Sequence, residues 1–123
     1  MKKQILILSP HADDEILGCG GTTSKFSKEG YDINVLILTN ANNGAPEIYS
    51  KKDIKKIRDE SKLANEFIGT KKLFFENLPA LTLNQYPLYR ISNIIEKYIL
   101  KIKPEFVFIP SSNDIHEDHK IIF

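Results

Sequence analysis

The sequence predicts an α/β domain built on a mostly parallel sheet, and three observations carry that prediction. Four short runs are continuously apolar, the mark of strands covered on both faces. They alternate with stretches in which apolar residues recur every three or four positions, long enough for helices. A glycine or a proline closes each of those stretches. Strand–helix alternation of this kind folds into right-handed β-α-β units and a doubly wound sheet.

Taken in order, Ile5–Leu8 is the first strand, and a helix from about Glu15 to Glu29 ends at Gly30. Ile33–Leu38, rich in β-branched residues, is the second strand, followed by a loop over Asn40–Lys52. Ile54, Ile57, Ser61, Ala64 and Ile68 mark one face of a helix that stops at Gly69. Leu73–Phe75 is a weaker third strand, and Asn77–Pro87 a second loop. Leu88, Ile91, Ile95, Tyr98 and Ile102 place a helix between Pro87 and Pro104, where proline suits a start and a stop. Phe106–Ile109 is the fourth strand, closed by Pro110. Asp118 opens a further helical pattern, which reaches the terminal Ile121-Ile122-Phe123. Four strands are few for this architecture, and the apolar ending falls inside an element. The expectation is a single domain over residues 1–123 that is an N-terminal fragment, truncated at its C-terminus.

Composition narrows the function. With 123 residues, 41% hydrophobic and 27% charged, the chain holds one core. Its 17 basic and 16 acidic residues leave a net charge of +1, and 15 of the basic residues are scattered lysines. A protein that tracks phosphates carries a clear basic excess, so nucleic acid is not an expected partner. The single Cys19 excludes an intrachain disulfide and suits a reducing compartment. No apolar stretch has the length of a secretory signal or a membrane span, so a cytoplasmic, soluble protein is expected.

Two constellations carry chemistry. Pro10-His11-Ala12-Asp13-Asp14-Glu15 follows the first strand, and Asp114-Ile115-His116-Glu117-Asp118-His119 follows the fourth. Together they contain all three histidines of the chain. In open α/β sheets ligands bind beyond the carboxyl ends of the strands, where strand order reverses. If the first and fourth strands are neighbours, the two loops meet there. Imidazoles and carboxylates converging on one point suit a divalent metal. Two His and one Asp leave zinc a position for water, and a further carboxylate beside that water accepts its proton.

These residues resemble a family. Pro-His-Ala-Asp-Asp-Glu is similar to the His-Pro-Asp-Asp-Glu signature of the PIG-L/LmbE-like zinc deacetylases, and His116-Glu117-Asp118-His119 to their His-x-Asp-His motif. The resemblance spans most of the chain. It implies a Rossmann-like three-layer domain that removes an N-acetyl group from an N-acetylglucosamine-type amino sugar or its conjugate. By motif position, His11, Asp14 and His119 would bind zinc and Asp13 would be the general base. His116 would be the acid or oxyanion partner, and Asp118 would orient His116. Arg58, in Arg-Asp-Glu-Ser-Lys-Leu-Ala, resembles a family arginine that contacts substrate, and Ile68-Gly69 matches the Leu-Gly that follows it. Ala12 stands where the family usually has Pro, which loosens the loop without removing a ligand. Asn40-Ala41-Asn42-Asn43-Gly44 departs from the usual Thr-Asp-Gly-type run, and family members usually continue well past the length of this chain.

Plainer readings stand beside these. Asp13, Asp14 and Asp118 suit helix N-caps, and a loop histidine such as His116 is commonly solvated or capping. Arg58, with Lys55, Asp59 and Glu60 nearby, also suits a solvated charged face. Gly18-Cys19-Gly20-Gly21 does not match Gly-x-Gly-x-x-Gly and lies beyond the tight turn, so it reads as close packing of helix on sheet, with Cys19 packed there too. Tyr86-Pro87-Leu88-Tyr89 reads as a loop anchor rather than a sugar-stacking platform. At the level of function the alternatives are a non-catalytic metal-binding domain and an Fe(II) site that activates oxygen, since two His and one carboxylate also hold Fe²⁺.

Overall fold

Strands β1 (Gln4–Ser9) and β2 (Asp32–Asn40) are the fully covered centre of the sheet, as continuous apolarity requires. The computed structural model describes residues 2–123 and arranges four strands in the order β3-β2-β1-β4. Every pairing is parallel: Ile5 lies opposite Ile33 on one side and Phe106 on the other. β3 is Lys72–Pro79 and β4 Phe106–Phe108.

The pleat sorts the apolar residues by face. Ile5, Ile7, Ile33, Val35 and Ile37 form one buried cluster, against which Ala12, Cys19 and Phe26 pack. Leu6, Leu8, Leu36, Leu38 and Leu78 form the other, joined by Ile91, Tyr98 and Ile122. Helices therefore cover both faces, giving three layers. Helices α1 (Asp14–Lys28) and α3 (Lys51–Ile68) contact one another; α4 (Leu88–Ile102) and α5 (Glu117–Ile122) supply Ile91, Tyr98 and Ile122 to the opposite cluster. Burying one such aliphatic side chain contributes about 2 kcal/mol.

Local chemistry sets the element ends. Ser50 and Asp53 form a reciprocal capping box at the start of α3, and Gly69 ends it in the left-handed region at φ 94°. Lys103 takes the left-handed conformation after α4, ahead of Pro104.

Three details depart from the sequence reading. Part of the loop after β2 is a short helix, α2 (Ala41–Gly44), whose Gly44 lies so close to Ala80 that an added Cβ would sit 1.7 Å from the Ala80 carbonyl oxygen. β3 runs four residues past Phe75, through a bulge where Phe75 and Leu78 pair with Ile37 and Thr39. The glycines of α1 do not mediate close packing: a Cβ on Gly18 or Gly21 would meet nothing within 4 Å. Cys19 and Phe26, seven residues apart on one side of the helix, make the sheet contact instead, joined by Ala12 from the turn before it. Tyr86 packs against the leucine-rich cluster and anchors its loop. No helix among the described residues is long and apolar enough to cross a membrane.

The chain steps outward from β1 through β2 to β3, then crosses back to place β4 on the far side of β1. Strand order reverses between β1 and β4, and the loops leaving those two strands flank that crevice.

Candidate metal centre

The loop after β1 is held from below. Thr39 Oγ1 donates to the Pro10 carbonyl (2.6 Å), and the Ser9 hydroxyl accepts from the Glu15 N–H while lying 2.8 Å from Glu15 Oε2. Glu15 is buried, and Asn65 from α3 donates to its other oxygen. Burial pushes the Glu15 carboxyl above its usual range against those hydrogen bonds. The loop then turns into α1 through the His11 N–H, which donates to Asp14 Oδ2 (2.8 Å).

The second loop is built by its own side chains. His116 is the N-cap of α5, its Nδ1 accepting from the Asp118 N–H (3.1 Å). Asp114 accepts the His116 N–H on Oδ1 (3.0 Å) and faces His119 Nδ1 with Oδ2 (2.6 Å). Asp118 is fully buried; its Oδ2 accepts from His11 Nε2 (2.8 Å) and from the Leu81 N–H (2.7 Å).

Residues more than a hundred positions apart thereby meet. His11 Nδ1 is 3.3 Å from Asp14 Oδ2, His119 Nε2 is 3.0 Å from the same oxygen, and the two nitrogens are 3.3 Å apart. Each imidazole has its outer nitrogen against a carboxylate, so the inner nitrogens and Asp14 Oδ2 turn lone pairs toward one another. A tetrahedral ion with bonds of about 2.0–2.1 Å separates its ligands by about 3.3 Å. The donor set and its spacing fit a divalent metal held by His11, Asp14 and His119. His11, His116 and Asp118 form a second set of close ligand atoms, so the His11 ring is shared by both clusters.

Three lone pairs so arranged attract a cation, and a proton answers in part. Burial pulls the His11 pKa down, but the carboxylates of Asp118 and Asp14 outweigh it and bring it up to about 9. Burial raises the Asp14 and Asp118 carboxyls, and the adjacent His11 ring outweighs that, holding both below the usual carboxylate range. Asp114 is lowered by the His116 N–H and the His119 ring.

A cleft of about 660 Å³ opens beside this cluster, and His11, Asp13, His116, Arg58, Tyr49 and Leu81 are among its walls. Asp13 occupies the N-cap position of α1, but its exposed carboxylate caps nothing. Arg58 is half-buried rather than part of the solvated face around Lys55 and Asp59. Its Nη2 donates to the Glu76 carbonyl in the β3 bulge (2.7 Å), and its guanidinium lies 4.7 Å from the Phe75 ring centre.

Of the seven residues singled out in the sequence, His11, Asp13, Arg58 and His116 line this cleft, while Asp14, Asp118 and His119 gather on His11 beside it, with one rearrangement of partners. Asp118 was expected on His116; its carboxylate instead holds His11, and only its backbone N–H reaches His116. The reason is reach: as the second residue of α5, Asp118 points inward to the β1 loop while His116 caps the helix. Sequence reading did not assign roles to Asp114, Leu81 or Tyr49. Asp114 was visible as the acid two positions before His116 and five before His119. Leu81 acts through its backbone N–H, at the left-handed φ of 69°, and leaves no signal in a side-chain pattern.

The profile of the family described as PIG-L, GlcNAc-PI de-N-acetylase, matches residues 6–123. The chain belongs to the PIG-L family. A diacetylchitobiose deacetylase of Thermococcus kodakarensis is 29% identical over 124 residues, covering 96% of this chain and 45% of that protein. Among solved structures, N,N'-diacetylchitobiose deacetylase from Pyrococcus horikoshii, complexed with its inhibitor MPG, superposes with a TM-score of 0.84. It is 26% identical and covers 98% of this chain and 46% of its own length. A conserved protein of Thermus thermophilus superposes at 0.78, with 29% identity over 96% of this chain and 50% of its own. The PIG-L chain described here thus spans about half the length of these relatives.

Proposed function

We propose that this PIG-L chain carries the metal centre of a zinc-dependent hydrolase that removes the N-acetyl group from an N-acetylglucosamine-type amino sugar or its conjugate. The observation that carries the reading is the convergence of His11 Nδ1, His119 Nε2 and Asp14 Oδ2 beside a cleft whose walls include His11 and the uncommitted carboxylate of Asp13. Relatives that deacetylate diacetylchitobiose support the amino-sugar class.

Bound zinc would polarise the acetyl carbonyl and acidify water. The protein's own groups do the rest. Asp13 accepts a proton from the attacking water, since no hydrogen bond ties its carboxylate to the start of α1. His116 accepts on Nδ1, so its neutral ring carries the proton on Nε2 and can donate to the developing oxyanion. Asp118 keeps the His11 ring turned with Nδ1 toward Asp14. Arg58, steadied by Glu76 and Phe75, offers its remaining donors to sugar hydroxyls or to an anionic conjugate in the cleft. As the C–N bond of the acetamide breaks, the proton taken up by Asp13 passes to the leaving amine, and acetate is released.

The test is acetate release from a panel of N-acetylglucosamine conjugates, before chelation, after chelation and after zinc is restored. Release that follows zinc is expected. Turnover indifferent to chelation, or no release from any conjugate by zinc-loaded protein, overturns the proposal.

A further inference from the structure

We propose that Asp114 is a positioning residue for metal binding, holding His119 in the tautomer that leaves Nε2 free as a ligand. The inference rests on the metal reading above and adds a residue to it.

The geometry makes the point through competition. His119 lies between two carboxylates: Asp114 Oδ2 at 2.6 Å from Nδ1, and Asp14 Oδ2 at 3.0 Å from Nε2. A neutral imidazole has one proton to give. On Nε2 it would bond Asp14 and occupy the lone pair that a metal needs. On Nδ1 it bonds Asp114 and leaves Nε2 open toward Asp14 and His11 Nδ1. The shorter contact draws the proton to Nδ1.

Asp114 is itself fixed. Its second oxygen accepts the His116 N–H (3.0 Å), and its own N–H donates to the Ser111 carbonyl in a turn (3.2 Å). One carboxylate therefore sets the direction of the His119 ring and braces the residue that caps α5. It contributes without touching substrate or metal. An imidazole ligand commonly needs such an outer carboxylate, and losing it weakens metal affinity tenfold to a hundredfold.

The experiment compares wild type with Asp114→Ala and the isosteric Asp114→Asn. Zinc affinity is measured by competition with a chromophoric chelator. The His119 tautomer is read in metal-free protein from the ¹⁵N shifts of its ring nitrogens, at a pH where the ring is neutral. Expected are an Nδ1–H ring in wild type, a move of the proton to Nε2 in Asp114→Ala, and zinc binding weakened by about ten- to a hundredfold in that variant. Asp114→Asn keeps one acceptor and should fall between the two. Should the alanine variant not fold, the asparagine variant alone decides, since it preserves shape and loses one hydrogen bond. Variants that bind zinc as wild type does, with unchanged ring signals, overturn the proposal. Wild type that takes up no zinc overturns the metal reading instead, and the ring signals still show whether Asp114 sets the tautomer.

Discussion

The protonation of His11 predicts how metal uptake depends on pH. In metal-free protein its pKa is brought up to about 9 by Asp118 and Asp14 against burial, where an ordinary imidazole sits near 6.5. Coordination through Nδ1 requires that proton to leave. Below about pH 9 zinc therefore competes with it, and apparent affinity rises about tenfold for each pH unit. Between pH 6.5 and 8.5 the gain is about a hundredfold, or about 2.7 kcal/mol. An unperturbed histidine would give little change above pH 7. The perturbation is a series of buffers across that range, with affinity measured by chelator competition. Calorimetry in buffers of different ionisation enthalpy counts the protons released, with nearly one from His11 expected at pH 7. Asp118→Asn removes the carboxylate 2.8 Å from Nε2, lowers the His11 pKa and should flatten the profile above pH 7. Affinity constant from pH 7 to 8.5 in wild type, or an unchanged slope in Asp118→Asn, would refute the reasoning.

Other substitutions separate chemistry from architecture. Asp13→Asn should reduce acetate release by at least about a hundredfold while zinc content, measured by elemental analysis, stays at the wild-type level, because Asp13 is outside the ligand set. Gly44→Ala drives a Cβ into the Ala80 carbonyl and should cost about 2–3 kcal/mol in urea denaturation, with the α2 segment and the Ala80–Leu81 turn displaced together. Ser50→Ala removes one half of the capping box and should cost about 1 kcal/mol by the same measurement, with metal binding unchanged.

Much of the fold was legible because its signals are local. Four apolar runs became four strands, and Gly69, Pro87 and Pro104 stand where helices stop or start, since a left-handed turn or a missing N–H acts within one helical turn. The α1 glycines misled for a related reason. A glycine-rich stretch permits close approach, and nothing in the stretch says whether a neighbour uses that permission. The extension of β3 through its bulge escaped for the converse reason: Glu76 and Asn77 are poor strand formers, carried in the bulge between the Phe75–Ile37 and Leu78–Thr39 pairs that tie β3 to β2.

The candidate site divides along the same line. By itself, the sequence determined which side chains stand at the ends of the first and fourth strands, and therefore that imidazoles and carboxylates were available in two short runs. Tertiary structure decided that β4 lies beside β1, which brings His119 within 3.3 Å of His11 across more than a hundred residues. It also decided the pairing of nitrogens with carboxylates: Asp118 on His11, Asp114 on His119, and Leu81 closing on Asp118. A hydrogen bond is settled by distances of a few tenths of an ångström between loops from different layers. Residue spacing along one chain segment does not encode those distances; the packing of the sheet and its helices sets them.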